Sequence, residues 1–208
     1  MAIPAESRYD VVIIGSGLGG LYCARVLGMH GFKVCVLEKN RQIGGNLQTF
    51  ARDKCIFDTG VHYIGGMDEG QNLYQCFKYA GILEHMKLKR MDAEAFDVVL
   101  FDGDEQEYPH GMGYENFIKN LAAIFPEEQQ NIENYCQALQ DICKLFPIYN
   151  LSADQKEQVI NQYFEISAAD FIASFTQNEK LRQVLGGTNL LYAGEAQRSP
   201  AYMHALVV

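Results

Sequence analysis

The chain has 208 residues, with 17 Lys and Arg against 26 Asp and Glu, a formal net charge of -9. Its 48% hydrophobic and 21% charged content, with 19 glycines against 5 prolines, is that of a globular chain with tight turns and not of a disordered one. The acidic balance and the lack of a basic stripe argue against nucleic acid as a partner, and no stretch approaches the length of a membrane span.

The first ten residues, MAIPAESRYD, lack the basic start and apolar run of a signal peptide. Six cysteines (Cys23, Cys35, Cys55, Cys76, Cys136, Cys143) form no C-x-x-C pair and sit mostly in apolar runs. They read as small buried hydrophobes in a reducing compartment, so the expected location is the cytoplasm and no metal site is expected.

In chain order, Tyr9 to Ile14 is continuous, β-branched and ends in glycine, the pattern of a short buried strand. Leu18 to His30 reads as a helix closed by Gly31, and Lys33 to Leu37 as a second buried strand, giving one β-α-β unit with parallel strands. Short β-like pieces follow around Leu47 to Phe50 and Cys55 to Phe57, then a helix from Gln71 to Ala80 stopped by Gly81. Phe96 to Phe101 and Glu105 to Tyr108 flank Asp102-Gly103, a hairpin signal. Alternation should turn Asp97, Asp102, Asp104 and Glu105 to solvent, which explains them better than a metal loop does.

From Gly113 onward the pattern is helical. Pro126 opens a second helix whose Ile132, Tyr135, Cys136, Leu139, Ile142, Cys143 and Phe146 recur at three- and four-residue spacings, a packing stripe. Further helices are expected at 154–164, 168–185 and from Ala201, the last with Ser199 as N-cap and Pro200 at the first position.

Between the first strand and helix runs VVIIGSGLGG, a G-x-G-x-x-G with the context that gives the motif meaning: strand before, helix after, and Glu38 at the end of the next strand. Gly15 makes the tight turn, Gly17 lets backbone approach a pyrophosphate, Gly20 lets helix and strand pack closely, and the helix N-terminus offers N–H groups to phosphate. Glu38 would accept hydrogen bonds from a ribose. The fingerprint alone leaves FAD and NAD both open. Gly44 and Gly45, six and seven residues past Glu38, add a second glycine turn that can lie along an extended cofactor.

The run Gly15 to Gly20, Glu38, Gly44-Gly45 and FDTGVHYIGG (57–66) resembles the amino-terminal half of the phytoene desaturase, carotenoid isomerase and retinol saturase group of FAD flavoproteins. The resemblance is close over about residues 9–66 and general beyond. It implies an α/β chain: a Rossmann-type FAD-binding β-α-β core (1–70) with an inserted mixed β and helical substrate-domain portion (71–208). It also implies FAD as cofactor, NAD(P) as an electron partner, and an apolar polyene such as a carotenoid or retinoid as substrate, with contact at the inner membrane surface.

Carried over by residue, the resemblance gives Gly15, Gly17, Leu18, Gly19, Gly20 and Glu38 to the ADP half of FAD, with Lys39 and Arg41 near it. Gly44, Gly45 and Asn46 would follow the pyrophosphate or ribityl chain, although many related flavoproteins carry Arg where this chain has Asn46. Asp58, Thr59, Gly60, Val61 and His62 would approach the isoalloxazine. His62 has two readings, a proton or hydrogen-bond donor beside the flavin or a cap on the turn at 58–60, the second favoured. The family completes its flavin site with a late Gly-Asp segment, which the resemblance expects beyond these 208 residues. A non-catalytic FAD-binding fragment and a nicotinamide-dependent oxidoreductase are the competing readings.

Overall fold

Val11–Ile14 (β1) and Val34–Leu37 (β2) pair in parallel, with Val11 opposite Val34 and Ile14 opposite Leu37. Between them lies the helix Leu18–Met29 (α1), so the β-α-β unit read from the sequence is present. The computed structural model describes residues 8–151 and 161–208. The chain forms two units, Met1–Lys87 and Leu88–Val208.

In the first unit α1 ends because Gly31 takes a φ of +86°, a left-handed conformation that glycine adopts without a Cβ penalty. The helix Asn72–Tyr79 (α2) is tied to α1 by polar contacts. The Tyr22 hydroxyl donates to the Cys76 carbonyl at 3.0 Å, and Arg25 Nε donates to the Ala80 carbonyl at 2.8 Å. The second bond caps the carbonyl end of α2, where a cation also complements the helix dipole.

Thr49–Arg52 (β3) and Cys55–Asp58 (β4) form an antiparallel hairpin. Its two-residue turn is Asp53-Lys54, with φ of +51° and +66°. Two left-handed residues match the twist of the flanking strands. This unit buries little: α1 has no buried residue, Ile14 is 89% exposed and Ile56 is 77% exposed.

The second unit opens with Asp97–Val99 (β5) paired antiparallel to Tyr108–His110 (β6). The expected hairpin exists, but its second strand begins at Tyr108, where the sequence pattern had it end. Asp104 is the reason. Its carboxylate accepts from the Gln106 N–H at 3.0 Å, the Tyr108 hydroxyl at 2.8 Å and Lys180 Nζ at 3.0 Å. These bonds, the Gln106 N–H foremost, hold its carboxyl down at about 2, and they fix 104–107 as loop. Asp104 is therefore bound into the fold and does not simply face solvent as alternation suggested.

Next come Gly113–Ile124 (α3), a single 3-10 turn at Pro126–Glu128 and Gln129–Lys144 (α4). The stripe on α4 is packing surface, with Ile132, Tyr135, Cys136, Leu139, Ile142 and Cys143 all buried. Pro147–Asn150 (α5) and Asn161–Glu165 (α6) follow; most of the helix expected at 154–164 lies outside the described residues.

The single helix expected at 168–185 is two, Ala168–Ala173 (α7) and Glu179–Leu185 (α8). Each has its own side-chain cap. Ser167 Oγ accepts from the Asp170 N–H and Asn178 Oδ1 from the Leu181 N–H, while Thr176, in the break, donates to Glu128 at 2.7 Å. After a 3-10 stretch Gly187–Tyr192, the final helix Ala201–Val207 (α9) begins at Ala201 as expected, with Pro200 at the N-cap and not at the first helical position. Ser199 does not cap it, because its hydroxyl accepts from the Glu195 N–H instead.

Helices α3, α4, α7, α8 and α9 close a core with Leu121, Phe171, Leu181 and Ala205. Inside it Tyr135 Oη lies 2.6 Å from His204 Nε2, and His204 Nδ1 lies 3.1 Å from Tyr192 Oη. Tyr192 Oη in turn lies 2.5 Å from Asn189 Oδ1. Burial lowers the His204 imidazole to about 4.

All six cysteines are free thiols. Cys136 and Cys143 are buried, and desolvation pushes the Cys136 thiol up to about 12. Cys23 and Cys55 are exposed, contrary to the expectation of burial, because the first unit leaves strand and helix faces uncovered. Among the described residues no helix is long and apolar enough to cross a membrane.

Candidate dinucleotide site

Gly15 leaves β1 with a φ of +100° and donates its N–H to the Leu37 carbonyl at 2.7 Å, which ties the turn to the end of β2. A Cβ on Gly20 would collide with the Gly15 carbonyl oxygen, so this glycine is required by the protein's own packing. Gly17 and Gly19 differ: a Cβ on either would meet nothing within 4 Å. Open space there, at a helix start with Gly17 as N-cap and no side-chain cap, leaves backbone N–H groups free for an anionic ligand. The residues present fit a dinucleotide pyrophosphate.

Ser16, between the first two glycines, is 1% exposed. Its N–H and its hydroxyl both donate to Glu38 Oε2, at 3.0 and 2.5 Å. The other carboxylate oxygen accepts from the Asn40 N–H at 2.8 Å. Glu38 is held at about 2, chiefly by the Ser16 hydroxyl and then by backbone N–H groups. It is therefore an ionised acceptor throughout the neutral range, suited to ribose hydroxyls.

The second glycine turn docks on the first. The Gly44 N–H donates to the Ser16 carbonyl at 3.0 Å and to Ser16 Oγ at 3.2 Å. Gly44 and Gly45 have φ of +115° and +57°, and a Cβ on Gly45 would stand 3.1 Å from Gly17 Cα. Gly45–Leu47 then makes a 3-10 turn. Asn46 packs on Gly60, where a Cβ would lie 3.1 Å from the Asn46 Cβ, and the Thr59 N–H donates to the Gln48 carbonyl at 2.9 Å.

Gly15, Gly17, Glu38, Gly44, Gly45, Asn46 and Gly60 are thus joined in one continuous set of contacts, and Leu18, Gly19 and Gly20 open the helix beside it. Other expected residues stand apart. Lys39 and Arg41 are exposed and their side chains make no hydrogen bond or ion pair among the described residues. Val61 is exposed at the start of the segment that carries His62. His62 Nδ1 lies 3.9 Å from Asp58 Oδ2, with both side chains exposed; this distance is too long for the hydrogen bond a turn cap requires. Ser16 was missed by sequence reasoning. The fingerprint leaves its position free, and only the hydrogen bonds reveal what it does.

The β-α-β unit and its glycine turn have the form of a Rossmann-type dinucleotide site, and the family described as NAD(P)-binding Rossmann-like domain matches residues 13–80. The chain is similar in sequence to all-trans-retinol 13,14-reductases and to prolycopene isomerases. It is 28% identical to all-trans-retinol 13,14-reductase of Homo sapiens over 222 residues, covering 97% of this chain and 35% of that protein. It is 33% identical to prolycopene isomerase 2 of an Oncidium hybrid cultivar over 134 residues, covering 64% of this chain and 22% of that one. The chain spans about a third of the length of the curated reductases it matches. Among solved structures, putrescine oxidase bound to putrescine shares the fold, with a TM-score of 0.64 at 16% identity over 95% of this chain and 40% of that one.

Proposed function

We propose that the chain is the FAD-binding part and part of the substrate domain of an oxidoreductase, a desaturase, saturase or isomerase acting on an apolar polyene such as a carotenoid or retinoid. The observation that carries this is the double glycine turn, Gly15–Gly20 against Gly44–Gly45, with an ionised Glu38 locked beside it. One turn is enough for a pyrophosphate. A second turn packed on it lengthens the cradle toward a cofactor more extended than a nicotinamide dinucleotide. The names of the homologues support the substrate class.

In this reading the N–H groups at Gly17, Leu18, Gly19 and Gly20 bind pyrophosphate oxygens and Glu38 accepts from ribose hydroxyls. Lys39 and Arg41 add positive charge from the rim. Gly44, Gly45 and Asn46 follow the ribityl chain, while Gly60, Val61 and His62 meet the ring end, where the His62 imidazole holds or releases a proton. FAD, when bound, supplies the hydride acceptor or donor, and NAD(P) serves as an electron partner. Residues 1–70 form the nucleotide-binding portion and 71–208 a part of the substrate domain. The flavin pocket is completed by the portion of the relatives' length that this chain does not span, and the protein works in the cytoplasm with contact at a membrane surface.

The test is titration of the purified chain with FAD and with NAD, read by flavin fluorescence and by calorimetry. FAD binding that Glu38→Ala weakens by about tenfold or more is the expected result. NAD binding without FAD binding, or FAD affinity indifferent to Glu38→Ala, overturns the proposal.

A further inference from the structure

We infer that Ser16 is a positioning residue for the dinucleotide site: its hydroxyl fastens the ribose-binding carboxylate of Glu38 to both glycine turns, so that the cradle is organised before any cofactor arrives. This rests on the FAD-binding reading above and adds a role to a position that reading does not use.

One small side chain both donates and accepts within the site. The Ser16 hydroxyl donates to Glu38 Oε2 at 2.5 Å and accepts from the Gly44 N–H at 3.2 Å, while its own N–H and carbonyl engage the same two partners. Such a two-sided contact fixes distances that a ligand would otherwise have to impose. Burial makes the role specific to serine. At 1% exposure the hydroxyl is out of competition with water. Alanine leaves the carboxylate with one donor fewer.

The charge environment is simple. The loop from Gly15 to Gly20 carries no titratable side chain, Lys39 and Arg41 follow Glu38 in the next turn, and Glu38 has no ion pair among the described residues. The depressed titration of Glu38 has the Ser16 hydroxyl as its largest cause, ahead of the Asn40 and Ser16 N–H groups. Removing the hydroxyl therefore moves that carboxyl back up toward its ordinary value of 4.5. A carboxylate that protonates at higher pH stops accepting from ribose at higher pH.

The experiment measures FAD affinity of the full chain by calorimetry from pH 8 down to pH 3 for four proteins: wild type, Ser16→Ala, Glu38→Gln and the double variant, with circular dichroism as the check on folding. Ser16→Ala is expected to weaken FAD binding about tenfold at pH 7. It should also shift the acid loss of binding to higher pH than in wild type, and cost nothing further once Glu38→Gln is present. Equal acid limbs in wild type and Ser16→Ala, or full additivity with Glu38→Gln, overturn the inference. If Glu38→Gln itself leaves FAD binding unchanged, the FAD-site reading fails first; if Glu38→Gln weakens binding and Ser16→Ala does not, the role of Ser16 alone fails.

Discussion

The two units are held together by different physics. In the second, the stripe on α4 sinks into a shared apolar core. In the first, β1, β3 and β4 leave large apolar side chains such as Ile14, Phe50 and Ile56 exposed, and the geometry that matters is set by backbone: glycines that admit close approach, and the paired polar contacts of Ser16, Glu38 and Gly44. Apolar burial is non-directional and tolerates small shifts, whereas hydrogen bonds and glycine contacts fix positions to fractions of an ångström. A phosphate cradle needs the second kind of order.

The largest effect that would sharpen this contrast comes from Leu139, which is fully buried on α4. Leu139→Ala should cost about 2–5 kcal/mol in urea unfolding. Ile14→Ala, at an 89% exposed position, should stay within about 0.5 kcal/mol, and equal costs would erase the distinction.

Next is acid. His204 is fully buried and its folded-state value is lowered from 6.5 to about 4. The unfolded chain therefore binds a proton that the folded one refuses. The stability from keeping this ring neutral is fully present above about pH 6.5, declines as pH falls, and is gone by about pH 4, a loss on the order of 3 kcal/mol. Urea midpoints followed across that window should show the decline, and His204→Gln should flatten it; the same slope in both proteins would break the assignment to His204.

The third effect, and the most local, belongs to Gly20. A methyl group there meets the Gly15 carbonyl oxygen, a backbone atom that cannot swing away. Gly20→Ala should destabilise the first unit by roughly 1–3 kcal/mol, whereas Gly19→Ala, whose added Cβ meets no protein atom, should leave folding unchanged and weaken FAD binding. If Gly19→Ala harms folding as much as Gly20→Ala, the division between glycines that serve packing and glycines that face a ligand is wrong.

The sequence made the first unit readable because its signals are backbone signals. G-x-G-x-x-G, Glu38 and Gly44-Gly45 each imply a conformation, and β1, α1 and β2 appear where those signals put them. Ser16 was hidden because any small residue satisfies the fingerprint. In the second unit the α4 stripe was clear at helical spacing, but the division of 168–185 was lost. Apolar residues occur on both sides of the break, at Phe171, Phe175 and Leu181, and the capping bonds of Ser167 and Asn178 divide the segment between them. The start of β6 was misplaced for a related reason: a network around Asp104, reaching Lys180 from 76 residues away, has no local signature.

One chain of contacts in the core carries a polarity that distances alone do not express. Asn189 Oδ1 can only accept, so Tyr192 must donate to it. Tyr192 then has only a lone pair to offer His204, which obliges Nδ1 to carry the hydrogen and leaves Nε2 as the acceptor for the sealed Tyr135 hydroxyl. A single amide oxygen on the 3-10 stretch thus dictates the tautomer of the histidine on α9 and the orientation of a hydroxyl on α4, so that three separate elements share one direction of hydrogen bonding.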